Sequence, residues 1–198
     1  MEWKRFIQEL YLRAEPYLIT RNDSVHTRVA HGYALLLLQK EGGDRNIVEP
    51  AIILHDVGWS ALKPEDIETA YGIRATGAKA RELNRIHEIQ GAGIAAEILA
   101  DLGCDTISID SIVKIIDRHD SGTSPDTLEE KLVKDADKLW RFSKIGYSYE
   151  LQRQAGTHTA RHAFLSQKVD SWFFTPTAKA LADKELRARD KENYKGSI

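Results

Sequence analysis

The chain has 198 residues and a formal charge of −2, from 28 basic and 30 acidic side chains. That balance gives no global attraction to nucleic acid or to an acidic membrane, and 42% hydrophobic with 29% charged residues is ordinary for a soluble globular protein. No apolar run approaches the roughly 20 residues of a bilayer span, the N-terminus lacks the apolar core of a signal peptide, and the single Cys104 excludes an internal disulfide framework; the cytoplasm is the expected location.

The sequence reads as helical nearly throughout. Trp3, Phe6, Ile7, Leu10 and Ala14 recur at helical spacing and predict a first amphipathic helix. Asn22-Asp23-Ser24 offers caps for a second, running to about Gln39 and stopped by Gly42-Gly43. A third covers roughly Asn46 to Asp56 and ends at Gly58. In the mixed segment 58–77, Pro64-Glu65-Asp66 can open a short helix, while Gly72 and Gly77 break the pattern. A long helix is expected from Ala78 or Arg85 to Leu102, and another from about Ser108 to His119. Ser121 to Asp126 is a loop, and a helix from Thr127 carries Asp137. The stretch 140–158 has no clear pattern, and Thr175-Pro176 begins a last, charge-rich helix ending near Lys195. No alternating strand pattern, internal repeat or linker interrupts this. The expectation is one all-α domain over 1–198, with a core of about 23–140 and C-terminal helices of about 141–195 packed on it.

Several polar residues stand where these helices should be apolar. His55-Asp56 follows the apolar run Ala51-Ile52-Ile53-Leu54. Residues at i, i+3, i+4 and i+7 share a helix face. His26 is therefore in line with Val29, Ala30, Tyr33 and Leu37, and His87 with Gly91, Ile94, Ala95 and Ile98. His119 is in line with Ile116, Ile115 and Ile112, and Asp137 with Val133 and Trp140. His31, five positions from His26, points away and is left out. A lone buried histidine is usually a core residue bonded to a carbonyl. Five polar residues on different helices, four histidines and Asp137, together with the adjacent Asp56, are satisfied at once by a shared metal cluster. Imidazole and carboxylate without thiolate suit one or two divalent transition-metal ions: Fe, Mn, Zn, Ni or Co.

His26, then Ile53-Leu54-His55-Asp56-Val57-Gly58, then Val133-Lys134-Asp135-Ala136-Asp137-Lys138-Leu139 resembles the HD-domain superfamily of metal-dependent phosphohydrolases over about residues 23–140. The resemblance implies an all-α HD-like helical bundle with a central metal site and puts the family's ligands on His26, His55, Asp56 and Asp137, with Asp135 a rival to Asp137. His87-Glu88-Ile89-Gln90-Gly91-Ala92 and Ile116-Asp117-Arg118-His119-Asp120 resemble the extra histidine segments of members with two metals. By that resemblance Asp56 bridges, His26, His55 and Asp137 complete the first metal, and His87 and His119 hold the second. Members with one metal use these histidines around the phosphate, so the number of ions stays open.

The activity implied is hydrolysis of a nucleotide or another small phosphorylated metabolite through a metal-bound hydroxide, with Asp56 the central catalytic residue. Lys138, Arg118 and Lys63 are the expected substrate contacts. Arg81, Arg85 and Arg153 are further candidates for the phosphate, and Lys63, Glu65 and Asp66 for leaving-group protonation. His158 and His162 could share a helix face, and Trp172-Phe173-Phe174 reads more readily as core packing or a subunit contact than as a ligand shelf. The alternatives are a di-iron, O2-dependent oxygenase of the same fold and a non-catalytic, metal-stabilised binding module. Nucleic acid is not expected as the main partner, nor is a membrane expected, and a homo-oligomer is compatible with the chain.

Overall fold

The computed structural model describes residues 2–19, 23–70, 76–153 and 156–195, with side chains as far as residue 191. Gly72 and Asn22, expected as a breaker and a cap, lie outside the described residues. The described residues form ten α-helices and no strand. They are α1 (Trp3–Leu18), α2 (Ser24–Glu41), α3 (Arg45–Leu54), α4 (Pro64–Ala70), α5 (Ala78–Asp101), α6 (Thr106–Ile116), α7 (Leu128–Trp140), α8 (Lys144–Arg153), α9 (His158–Trp172) and α10 (Pro176–Lys195). A 3-10 helix, Val57–Ala61, joins α3 to α4. No described helix is long and apolar enough to cross a membrane.

Local chemistry explains many of the boundaries. The Asp44, Asp105, Thr127 and Thr157 side chains accept from backbone amides in the first turns of α3, α6, α7 and α9, which satisfies donors that a helix start leaves bare. Gly42, at φ 80°, ends α2.

Two expected helices stop early. α3 ends at Leu54 and α6 at Ile116, so His55, Asp56 and His119 lie just beyond helix ends. Helices α8 and α9 occupy a region with little sequence pattern. Their inner faces carry charge: Glu150 is fully buried, with Arg141 at 3.2 Å and Arg161, itself buried, at 3.9 Å. A buried Glu–Arg cluster erases the apolar periodicity that normally marks an inner face.

One apolar cluster runs through the bundle, including Leu10, Leu37, Ile53, Leu99, Ile116, Leu132 and Phe142, all fully buried. Helix α2 packs on α3 and α7, α3 on α6 and α7, and α5 on α6 and the 3-10 helix. The last of these contacts is very close. A Cβ on Gly58 would fall on the His87 carbonyl and the Gly91 backbone, so only glycine lets α5 approach the His55-Asp56 turn there. A smaller cluster of Trp59, Ile67, Ala70 and Leu83 ties α4 to the 3-10 helix and α5.

Candidate metal centre

Five elements meet at one point. α2 brings His26 in its first turn, the α3 to 3-10 junction brings His55 and Asp56, α5 brings His87, the turn after α6 brings His119, and α7 brings Asp137. All six are buried. The Nε2 atoms of His26 and His55 are 3.0 Å apart, and those of His87 and His119 are 3.3 Å apart. Asp137 Oδ1 lies 3.2 Å from His26 and 3.6 Å from His55.

Asp56 stands between the pairs. Its Oδ2 is 3.4 Å from His26 and 3.3 Å from His55. Its Oδ1 is 3.6 Å from His119 and 3.9 Å from His87. The Trp59 indole donates to the same Oδ1 at 2.9 Å, which restrains rotation of the carboxylate.

Early helix termination sets the chemistry of two histidines. The Nδ1–H of His55 donates to the Ile52 carbonyl at 2.7 Å, and that of His119 to the Ile116 carbonyl at 2.8 Å. Each acceptor lies three residues back, in the last turn of a helix. With Nδ1 protonated, the neutral ring offers a bare Nε2 lone pair. Those lone pairs face carboxylates and other imidazoles, so acceptor meets acceptor. Only a cation or added protons can satisfy such a set. The metal-free proton affinities express that need. Burial opposes charge on His55, yet Asp56 and Asp137 outweigh it and raise its pKa well above the ordinary value. His119 is also raised, with burial opposed by Asp56 and Asp120. Burial works against ionised Asp137, but Lys138, His26 and His55 hold its pKa well below the usual range. The buried Nδ1 of His26 has no hydrogen-bond partner among the described residues.

Residues 25–141 match the HD domain. The chain belongs to the HD-domain family. This is a superfamily of metal-dependent hydrolases, and the clustered histidines and aspartates are compatible with divalent metal binding. The fold is similar to the crystal structure of a predicted HD-superfamily hydrolase from an uncultured Thermotogales bacterium, with a TM-score of 0.63 and 19% identity over 98% of this chain and 90% of that one. At that identity the likeness speaks for the fold alone. No curated protein matches the chain.

The HD centre opens through His26, Asp56 and Asp137 onto a cavity of about 460 Å³. His26, Asp56, Asp120, Asp137 and Lys138 line it, with Trp59, Ala70, Arg81 and Asn84 from the 3-10 helix, α4 and α5, and Trp140, Arg141 and Trp172 from the end of α7 and α9. Lys138, expected as a substrate contact, thus lines this cavity. Arg118 and Lys63 do not line this cavity. The Arg118 guanidinium is spent on Asp126 at 3.0 Å and Glu130 at 3.3 Å, which pin the loop before α7. Lys63 is an exposed residue whose carbonyl accepts from Asp66 and Ile67 at the start of α4. Arg85 binds Glu88 and Asp117, and Arg153 lies near Glu150. Glu65 and Asp66 lie outside the cavity lining, as do His158 and His162. His162 pairs with Asp190 at 3.1 Å. Trp172 lines the cavity, Phe173 is buried in the core and Phe174 is 39% exposed, so that aromatic run divides between the two readings.

Asp135 faces elsewhere. It accepts from the Phe174 and Thr175 amides at 2.9 Å each and from the Thr175 hydroxyl at 2.7 Å, holding the turn into α10. Burial raises its pKa to about 6 despite those donors. Two supporting residues do not stand out in the sequence. Glu88, fully buried, accepts from the amides of Asp120 at 2.9 Å and Ser121 at 2.8 Å. Lys134, also buried, donates to the carbonyls of Arg118, His119 and Gly122. Together they clamp the loop that carries His119. The sequence signal is a charged residue beside an apolar stripe, for Glu88 immediately after His87 just as Asp56 follows His55.

Proposed function

We propose that the protein is a metal-dependent phosphohydrolase for a nucleotide or another small phosphorylated metabolite. The observation that carries this reading is the division of the Asp56 carboxylate between two histidine pairs, in the lining of a cavity that also receives cationic side chains. His26, His55 and Asp137 would hold one divalent ion and His87 and His119 a second, with Asp56 shared. Nitrogen and oxygen donors without thiolate fit Fe, Mn, Zn, Ni or Co. When bound, a pair of such ions polarises a phosphoryl oxygen and makes water nucleophilic near neutral pH.

The chain's own residues do the rest. The Ile52 and Ile116 carbonyls fix the His55 and His119 tautomers, and the Trp59 indole holds Asp56 in place. Such outer contacts orient ligands and tune their basicity. Arg81 lines the cavity without an ion-pair partner among the described residues, leaving its guanidinium for a substrate phosphate. Arg141, by contrast, is engaged by Glu150. Trp59, Trp140 and Trp172 offer apolar surface to a flat ring and exclude water from part of the cavity.

The test is anaerobic purification, metal quantification and a screen of phosphorylated metabolites for phosphate release, with Asp56→Ala as control. Phosphate release is expected from at least one compound and should vanish in the variant and on chelation. Full activity in Asp56→Ala would sink the reading. Turnover that requires O2 would replace it with oxidative chemistry.

A further inference from the structure

The two histidine pairs have unequal carboxylate partners in the assignment above: Asp137 serves the first, and only the shared Asp56 serves the second. The structure supplies a match. Asp120 Oδ2 lies 3.9 Å from Nε2 of both His87 and His119. That is equal to the distance from Asp56 Oδ1 to His87, and close to the 3.6 Å from that oxygen to His119. His87, His119 and Asp120 have donor atoms within 4.8 Å of one another, as do His26, His55 and Asp137.

Lys138 makes the correspondence tighter. Its ammonium lies 3.1 Å from Asp137 Oδ2 and 3.2 Å from Asp120 Oδ1. Each carboxylate therefore spends one oxygen on the lysine and turns the other to its own pair of histidines. The Asp120 backbone is fixed as well, because its amide donates to fully buried Glu88 and the neighbouring His119 carbonyl accepts from Lys134.

We propose that Asp120 is a protein ligand of the second ion, and that Lys138 is the positioning residue that aims both outer carboxylates. The proposal rests on the two-ion reading above. It gives each ion two imidazoles, one carboxylate of its own and a share of Asp56. Four protein donors still leave open positions on an octahedral ion, so each keeps room for substrate or water. Three carboxylates and one ammonium carry a net charge of −2 against +4 from two divalent ions. The loaded centre thus remains cationic toward a phosphate. Lys138 then acts on the ligands rather than on the substrate.

The probe is Co(II) alone, titrated into metal-free protein without substrate and followed by calorimetry and by visible absorption. Wild type is expected to take up two ions per chain. Asp120→Asn should weaken one of them by about tenfold or more and leave the other unchanged, and Asp137→Asn should weaken the opposite one. Asp120→Glu, which restores charge on a longer arm, should recover part of the loss. Lys138→Met should weaken both ions together although it removes an opposing positive charge, a pattern that lost aim of the carboxylates produces and a substrate contact does not. Two ions in wild type with unaltered affinities in Asp120→Asn would overturn the proposal and leave the two-ion reading standing. A single ion in wild type, unchanged by His87→Ala, would remove both. Asp120 is a third exposed at its side chain, and thermal melting of each variant checks that it remains folded.

Discussion

His26 and His31 lie on the same helix five residues apart, and both are buried among polar groups. Around His31 every donor finds an acceptor. The Tyr11 hydroxyl lies 2.8 Å from Nδ1, Nε2 lies 3.1 Å from Glu49, and the other Glu49 oxygen accepts from Arg45 at 2.8 Å and Trp3 at 3.3 Å. The order hydroxyl to imidazole to carboxylate to guanidinium closes with a neutral ring. Burial accordingly lowers the His31 pKa despite Glu49, and Arg45 adds to the lowering. Around His26 the balance is reversed, because imidazoles and carboxylates converge with too few protons between them, and His55 and His119 are raised instead. Burial is common to both networks. The surplus of acceptors is what makes one of them compatible with a divalent cation.

The comparison can be broken at several points. The largest expected effect is from metal removal. Saturation at 100 to 1,000 times Kd should stabilise the fold by about 3–4 kcal/mol, so chelation should lower the melting temperature of wild type and of His31→Gln alike. No change on chelation would show that the acceptor surplus is met by protons alone.

Gly58→Ala pushes α5 away from the His55-Asp56 turn. A cost of about 1–3 kcal/mol is expected from the overpacking, with loss of metal uptake, as read by urea denaturation and metal analysis. A variant that keeps both stability and metal would show that the close approach is not required.

His31→Ala leaves buried Glu49 without one donor and should cost about 1–3 kcal/mol in urea unfolding while metal stoichiometry stays as in wild type. Altered stoichiometry would show that the His31 and His26 networks are coupled.

The smallest effect is in pH. The folded pKa of His31 is depressed, so the unfolded chain binds the proton more readily. The stability this gives is present above the ordinary histidine pKa of about 6.5 and is lost as pH falls through the folded value. In metal-free protein the difference in stability between wild type and His31→Gln should shrink on acidification across that window. A difference that grows would reverse the sign assigned to His31.

Much of this is legible in the chain. His26, His87 and Asp137 betray themselves as polar ends of apolar stripes, and the periodicity of α1, α2, α5 and α7 is strong. Spacing puts His55 and His119 on helices, yet both stand just past helix ends, a difference of one to three residues that periodicity does not resolve. Asp120 is hidden because it lies in a turn, where spacing carries no information about direction. Lys138 looks like a substrate contact in the sequence, since its two carboxylate partners come from α7 and the His119 loop, and only the fold brings them together. Helices α8 and α9 escape the pattern because Glu150 and Arg161 occupy inner positions where aliphatic residues would have shown a stripe.

The two early helix ends carry one more consequence. α3 and α6 both run out at the histidines, and a carbonyl in the last turn of each bonds the ring there. A helix C-terminus carries roughly half a negative elementary charge. These two ends favour a cation at this point, against the opposite bias of the α2 N-terminus beside His26. Under the proposed function, carboxylates that oppose a phosphate would be outweighed once two divalent ions were held there. In that proposed reaction, this order puts metal first and a phosphorylated substrate second.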